Sequence, residues 1–427
     1  MSDTASPIET APPRNLRQRA ADVIAECRLL AAMSEEPGRL TRRFLTPPVK
    51  EVHAHLRRRM IVLGMTVWVD AVGNLRGLWN PEGSTGKRLV LGSHIDTVPD
   101  AGAFDGVLGV VLALELVRSA AELSIPYPIE VIAFSEEEGV RFGVPFLGSR
   151  AVAGRFDPAL LALQDTEGVT LEKSIRDFGL DPRDMDAAKL DENTFGFFEI
   201  HIEQGPVLEA EILQLAAVTA IAGQSRFHVT FSGQANHAGT TPMRLRHDAL
   251  TAAAEWILAV ESEVRRYAAR HEAELVATAG KIEAKPNASN VIPGLVKVTL
   301  DVRSDRDFVR QIVVEELLAQ GEAIASRRGV RFVAEQKMDQ PAVSMDEELT
   351  ALLAEALGGA GFPVRRMPSG AGHDAMVMAT RVPSTMLFLR TPGAISHHPD
   401  ESVMETDVEA ALRVSEVFLK RLTFKSL

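Results

Sequence analysis

The sequence predicts an α/β protein: a mixed-sheet domain carrying an inserted ferredoxin-like α+β satellite. Three observations lead there. Four apolar runs rich in strand-forming residues each end in histidine, aspartate or glutamate. A long middle stretch reads β-α-β-β-α-β, the ferredoxin-like order. The apolar α/β pattern then resumes at Leu349 and supplies the fourth of those runs. The domains expected are therefore 1–212 with 337–427, and 213–336 as the satellite.

The elements follow in order. Leu16 to Met33 has apolar residues on one helical side. An arginine-rich loop (Arg39, Arg42, Arg43) follows it. Pro47-Pro48 then opens a second helix, Val49 to Leu63, because proline is tolerated in a first turn. Thr66 to Asp70 and Asn74 to Trp79 alternate as a hairpin. Leu89 to Leu91 is a strand, and Gly106 to Leu123 is apolar enough to pack under a sheet. Ile129 to Phe134 and Phe195 to Ile200 are strands, with short surface helices at Leu171 to Gly179 and Asp184 to Leu190 between them. In the satellite, Ser225 to Ser232, Leu275 to Glu283, Val296 to Arg303 and Val330 to Gln336 are strands. His247 to His271 and Asp305 to Arg328, closed by Gly329, are amphipathic helices. Thr385 to Leu389 is the last ligand-bearing strand.

Bulk properties exclude several classes. The 427 residues are 46% hydrophobic and 24% charged, an ordinary globular composition. A formal charge of −12 argues against nucleic-acid or anionic-membrane partners. A single cysteine, Cys27, rules out an intramolecular disulfide and a cysteine-rich zinc site. No apolar run reaches membrane-spanning length. Met1 to Asn15 is polar and proline-bearing, without the apolar core of a signal peptide, so a frayed tail and a cytoplasmic protein are expected.

The chemistry sits just past the strand ends, where loops in open α/β sheets converge side chains on one point. Gly92-Ser93-His94-Ile95-Asp96-Thr97 offers His94, and Asp105 follows closely. Ser135-Glu136-Glu137-Glu138-Gly139 offers adjacent carboxylates. His201 ends the third strand, and His397-His398 follows the fourth. One histidine after a strand is ordinarily a capped loop residue, and a glutamate run is ordinarily a solvated face. Adjacent carboxylates at a buried strand end repel one another unless a cation sits nearby. All four ends together point to metal. Imidazole mixed with carboxylate suits Zn2+ or Mn2+ and accepts Co2+ or Ni2+. Spacing alone does not choose between His397 and His398.

The matching motifs span nearly the whole chain: Gly-Ser-His-Ile-Asp-Thr-Val (92–98), Phe-Asp-Gly (104–106), Glu-Glu-Gly-Val-Arg-Phe (137–142), His-Ile-Glu-Gln-Gly-Pro (201–206), Asn-His-Ala-Gly-Thr-Thr-Pro-Met (236–243), Asn-Val-Ile-Pro-Gly (290–294), Gly-Ala-Gly-His-Asp (370–374) and Ile-Ser-His-His-Pro-Asp-Glu (395–401). With these the chain resembles the dinuclear metallo-amidohydrolases that include N-carbamoyl-L-amino-acid hydrolase, β-ureidopropionase and allantoate amidohydrolase, relatives of carboxypeptidase G and aminoacylase. The resemblance implies a dinuclear metallohydrolase domain, a dimerisation role for the satellite, and two divalent metal ions per subunit. It implies that His94, Asp105 and His201 hold one ion, and Asp105, Glu138 and His397 the other. It implies Glu137 as general base, Asp96 as the partner orienting His94, and His237 reaching the active site of a second subunit. Gln204, Asn290 and Arg303 are implied as substrate-carboxylate contacts. Read without the resemblance, His237 is a turn residue and Arg303 a solvated charge on an alternating strand. His373 and Asp374 are candidates for support behind the ligands. Ala394 stands where many relatives carry glycine.

Two cations would polarise a ureido carbonyl and acidify a water, and Glu137 would move the proton. The expected reaction is hydrolysis of a ureido C–N bond beside a carboxylate, with allantoate first and N-carbamoyl-L-amino acids or β-ureidopropionate as the alternative. A peptidase or acylase is disfavoured, because peptidase relatives generally place a carboxylate where His201 stands. A metal-binding protein without catalysis is disfavoured by Glu137, since a structural site needs no spare carboxylate.

Overall fold

The structure, a computed structural model, describes residues 15–84, 86–271 and 274–423. The expected tail lies outside them, except Asn15. Its side chain accepts a hydrogen bond from the Gln18 N–H at 2.8 Å and caps the Leu16–Ala31 helix. The described residues fall into two compact units.

The larger unit comprises the described residues up to Val218 together with Met345–Arg366 and the described part of His373–Leu427. Its sheet runs Thr66–Val69, Leu75–Trp79, Ile129–Phe134, Arg88–His94, Thr194–Ile202, Ser384–Leu389, Leu215–Ile221. The four ligand-bearing strands are neighbours in it and mutually parallel. Hence their carboxyl ends share one edge. Being covered on both faces, they read as continuous apolar runs rather than alternating ones. Every residue of Ile129–Phe134 is buried. The one acid among them, Glu130, is paired with Arg76 at 2.7 Å and Arg88 at 3.0 Å. The Val107–Glu122 helix is apolar almost all round and packs beneath this sheet. Gly106, with φ +67°, precedes it. A Cβ there would lie 2.5 Å from the His94 ring, so only glycine lets the Asp105 loop approach that imidazole.

The smaller unit is Thr219–Ser344 with Met367–Gly372. Its antiparallel sheet runs Arg331–Gln340, Gly223–Ser232, Leu295–Ser304, Leu275–Lys285, and helices Ala249–His271 and Asp307–Arg327 pack on it. In chain order these elements are β-α-β-β-α-β. The Gly223–Ser232 strand alternates buried and open residues, the signature of a sheet covered on one face.

Several details differ from the sequence reading. The satellite ends beyond 336, because its last strand stays paired with Gly223–Ser232 as far as Gln340. It also starts later than 213. Leu215–Ile221 is an unanticipated strand of the large sheet, bonded to Ser384–Leu389. The short element expected at Asp184 to Leu190 is a 3-10 turn, Pro182–Ala188. The helix at Leu171–Phe178 is not merely superficial, since Leu171 and Ile175 are buried against Phe44 and Leu147. Cys27 is fully buried. No helix among the described residues is long and apolar enough to cross a membrane.

Candidate active site

The site grows from the parallel strand ends of the larger unit. The Nδ1 of His94 lies 3.0 Å from the Asp96 carbonyl oxygen, and the Nδ1 of His201 lies 2.9 Å from the Ile202 carbonyl oxygen. A carbonyl only accepts, so both Nδ1 atoms carry the proton. Both Nε2 lone pairs are then left for a ligand. Those two Nε2 atoms are 3.5 Å apart.

Asp105 stands between two sets of donors. Its Oδ1 is 3.2 Å from His201 Nε2 and 3.6 Å from His94 Nε2. Its Oδ2 is 3.2 Å from His397 Nε2, which in turn is 3.5 Å from Glu138 Oε1. The ligand atoms of His94, Asp105 and His201 lie within 4.8 Å of one another, as do those of Asp105, Glu138 and His397. Burial alone would raise the Asp105 carboxyl, but when no cation is bound the imidazoles of His201, His397 and His94, in their protonated form, hold it well below the ordinary carboxylate range. Its buried Oδ1 has no hydrogen-bond partner among the described residues. A buried carboxylate oxygen left unpaired between imidazoles is costly unless a cation completes it. This mixed N and O donor set fits divalent cations such as Zn2+ or Mn2+.

Glu137 is buried and joins His94 and Glu138 in a further group of close ligand atoms. Burial, reinforced by the charges of Glu138, Asp374 and Asp96, pushes its carboxyl well above the usual range against the pull of His94. Glu138 is raised to about 7, mainly by burial and then by Asp105. Glu136 turns aside and accepts the Arg141 N–H at 2.9 Å.

Asp96 lies against His94 through two groups. Its main-chain carbonyl, rather than its carboxylate, takes the His94 Nδ1–H. The carboxylate is 3.6 Å from that nitrogen and accepts the N–H groups of Glu137 and Glu138 at 3.0 and 3.1 Å. Asp96 therefore ties the glutamate loop to the His94 loop. His373 lies behind His201, ring centroids 4.4 Å apart, and burial together with His201 holds it well below its usual pKa. Asp374 is buried at the same strand ends. Gln204 directs its amide at Asp105 Oδ2, 3.0 Å away, and at Ser396 Oγ, 3.3 Å away.

Two supporting acids escaped the sequence reading. Glu401 Oε1 accepts the N–H groups of Phe104 and Asp105 at 2.9 and 3.0 Å, and its Oε2 accepts from Ser396 Oγ at 3.2 Å. It pins the Asp105 loop to the His397 loop. Glu199 accepts from Ser93 Oγ and from the Ala375 N–H, both at 2.9 Å. With His201 and His373 it forms another close group. Glu401 lay within a quoted motif, which was the available signal. Glu199 sits two residues before His201 on the same strand face.

The structure separates His397 from His398. His397 adopts φ +56° and points at Asp105, whereas His398, exposed like His397, lies beside Asp400 at 3.6 Å. Ala394 also has φ +54°, a conformation glycine adopts without strain, which accounts for glycine at that place in the motif. We expect His398→Ala to keep metal content and turnover. His397→Ala should drop occupancy to about one ion per chain, read by elemental analysis.

In the smaller unit, His237 and Asn290 come together. His237 pairs with Val291, and Ala238 N–H donates to the Asn290 carbonyl at 2.9 Å. His237 Nδ1 accepts from the Gly239 and Thr240 N–H groups at 3.1 and 3.2 Å. In the neutral ring its proton therefore sits on Nε2, on an exposed side chain able to donate. Arg303 is half-buried and bonded to Asp301 and to the Gly370 carbonyl.

Comparison with known proteins gives the family. Residues 90–421 match the model of peptidase family M20/M25/M40. Allantoate deiminase 1 of Glycine max is 38% identical over 96% of this chain and 90% of its own length. An N-carbamoyl-L-amino acid amidohydrolase of Geobacillus stearothermophilus is 36% identical over 90% of this chain and 94% of its own. The crystal structure of a hydantoinase/carbamoylase-family amidase from Burkholderia multivorans superposes with a TM-score of 0.88, at 31% identity, covering 96% of this chain and 98% of that one. Likeness of that extent makes the chain a member of peptidase family M20/M25/M40, within its hydantoinase/carbamoylase group of amidohydrolases.

Proposed function

We propose that the protein hydrolyses the ureido C–N bond of a carboxylate-bearing small molecule, with allantoate as the first substrate, releasing ammonia and carbon dioxide. The observation that carries this is Asp105, whose two oxygens face two separate donor sets with Glu137 alongside. The similarity to the allantoate deiminase of Glycine max supports the substrate. The Geobacillus relative keeps N-carbamoyl-L-amino acids as the second reading.

In this reading His94, Asp105 and His201 would hold one divalent cation, and Asp105, Glu138 and His397 would hold the other, Mn2+ or Zn2+. Such cations polarise a carbonyl and acidify water. Glu137 takes the proton of the attacking water and returns it to the departing nitrogen, which leaves as ammonia as the C–N bond breaks; the carbamate that remains loses carbon dioxide to give the free amine. Asp96 holds the Glu137 loop in place for both transfers. His237 donates its Nε2–H to the developing oxyanion, serving the site of a second subunit in a homodimer. Arg303 supplies a planar fork for the substrate carboxylate, with Asn290 and Gln204 assisting. His373 and Asp374 back the ligand His201.

The test is an ammonia-release assay on manganese-loaded protein with allantoate, N-carbamoyl-L-amino acids, β-ureidopropionate and a dipeptide, the dipeptide scored by amine release. Allantoate should give the highest kcat/KM. A carbamoyl substrate in first place would move the assignment to the second reading, and a dipeptide turned over as fast would remove the ureido assignment.

A further inference from the structure

On the open face of the smaller unit's sheet, Asp301 and Arg303 are two residues apart on one strand and share a face. The Asp301 carboxylate receives Arg303 side-on: Nε to Oδ1 at 3.0 Å and one terminal nitrogen to Oδ2 at 3.1 Å. The other terminal nitrogen donates to the Gly370 carbonyl at 2.8 Å. Arg226, directly across the ladder from Asp301, adds a bond from its Nε to Oδ2 at 2.9 Å. A guanidinium has five N–H groups. Three are used here, and one remains on each terminal nitrogen. The same four residues line a cavity of about 710 Å³, in which, among the described residues, Arg226, Arg303 and Lys337 (the last also paired with Glu335) stand against one lining carboxylate, Asp301. That lining favours an anion.

We propose that Asp301 is a positioning residue for substrate recognition: it fixes the plane of Arg303 and leaves one N–H on each terminal nitrogen for the substrate's carboxylate. This rests on the reading of Arg303 as the carboxylate contact. The opposite role, a carboxylate that competes with substrate, would require the Asp301 bonds to break on binding. The two remaining N–H groups make that unnecessary. Arg226 keeps Asp301 from rotating away, and Gly370 limits rotation of the guanidinium. Two strands and the Gly370 segment thus preorganise one fork, which lowers the ordering cost of binding.

The test compares the best carboxylate substrate with its neutral carboxamide in Asp301→Asn, Asp301→Glu and Arg303→Lys variants, using manganese-loaded protein. Asp301→Asn should raise KM for the carboxylate substrate about tenfold, with kcat nearly unchanged and the carboxamide unaffected. Asp301→Glu should recover part of that loss, and the Asp301→Asn/Arg303→Lys double variant should be no worse than Arg303→Lys alone. A lowered KM in Asp301→Asn would show competition and overturn the proposal. So would an equal loss on both substrates, the mark of a merely structural role, or an unchanged KM where Arg303→Lys raises it. If Arg303→Lys itself leaves the preference for carboxylate over carboxamide intact, the carboxylate contact is misassigned and the proposal falls with it. Should Asp301→Asn fold poorly, the Asp301→Glu ratio of carboxylate to carboxamide KM decides by itself.

Discussion

Glu137→Gln is expected to bind both cations and lose about a thousandfold in kcat. Glutamine keeps the size of the side chain and leaves the backbone tie untouched, because the Glu137 N–H, not its carboxylate, meets Asp96 at 3.0 Å. What disappears is the proton acceptor. The structure makes the outcome informative in both directions, since Glu137 also lies within ligand distance of His94 and Glu138. A variant that loses an ion would make Glu137 a ligand. A variant that keeps full turnover would put the base elsewhere. Elemental analysis beside initial rates of ammonia release separates these outcomes. Glu138→Gln is the contrast: it should lose occupancy together with activity, because Glu138 belongs with Asp105 and His397.

Much of this cluster is legible in the sequence, for a physical reason. Strands buried on both faces must be continuously apolar, so a histidine or acid at their end is conspicuous. Ile129–Phe134 leads through Ser135 and Glu136 to Glu137 and Glu138, and Thr194–Ile202 carries His201 next to its last residue. The supporting acids were less legible. Glu199 looks like an ordinary charge until Ser93, far away in the chain, is seen donating to it. Glu401 acts on N–H groups nearly three hundred residues earlier, at Phe104 and Asp105. Local sequence carries no record of such pairing. His397 and His398 are chemically identical neighbours, distinguished only by a left-handed backbone at His397. Leu215–Ile221 was missed because its three alanines weaken the strand signal, although pairing with Ser384–Leu389 buries it. The satellite's far boundary slipped because Lys337 to Gln340 is polar, yet the ladder runs through to Gln340.

Asp105→Ala should abolish activity and remove both ions together, a larger loss than removal of any one histidine. Asp105 belongs to both donor sets, Oδ1 on the His94 and His201 side, Oδ2 on the His397 side. Without it each set falls to two donors, and the carboxylates of Glu137 and Glu138 are left without the charge that offsets their repulsion. His397→Ala, by contrast, leaves His94, Asp105 and His201 intact. Wild-type protein stripped with a chelator should lose turnover and regain it on adding Mn2+, while stripped Asp105→Ala should not recover. Cation binding stabilises the folded state by mass action, so adding Mn2+ should raise the thermal midpoint of the wild type and leave that of Asp105→Ala unmoved. Retention of two ions by Asp105→Ala would instead place the cations on other groups. Among the described residues, Glu199, His201 and His373, and His94, Glu137 and Glu138, are the sets without Asp105 that the structure offers for that outcome, and His373→Ala in the same background would then release the ion held by the first.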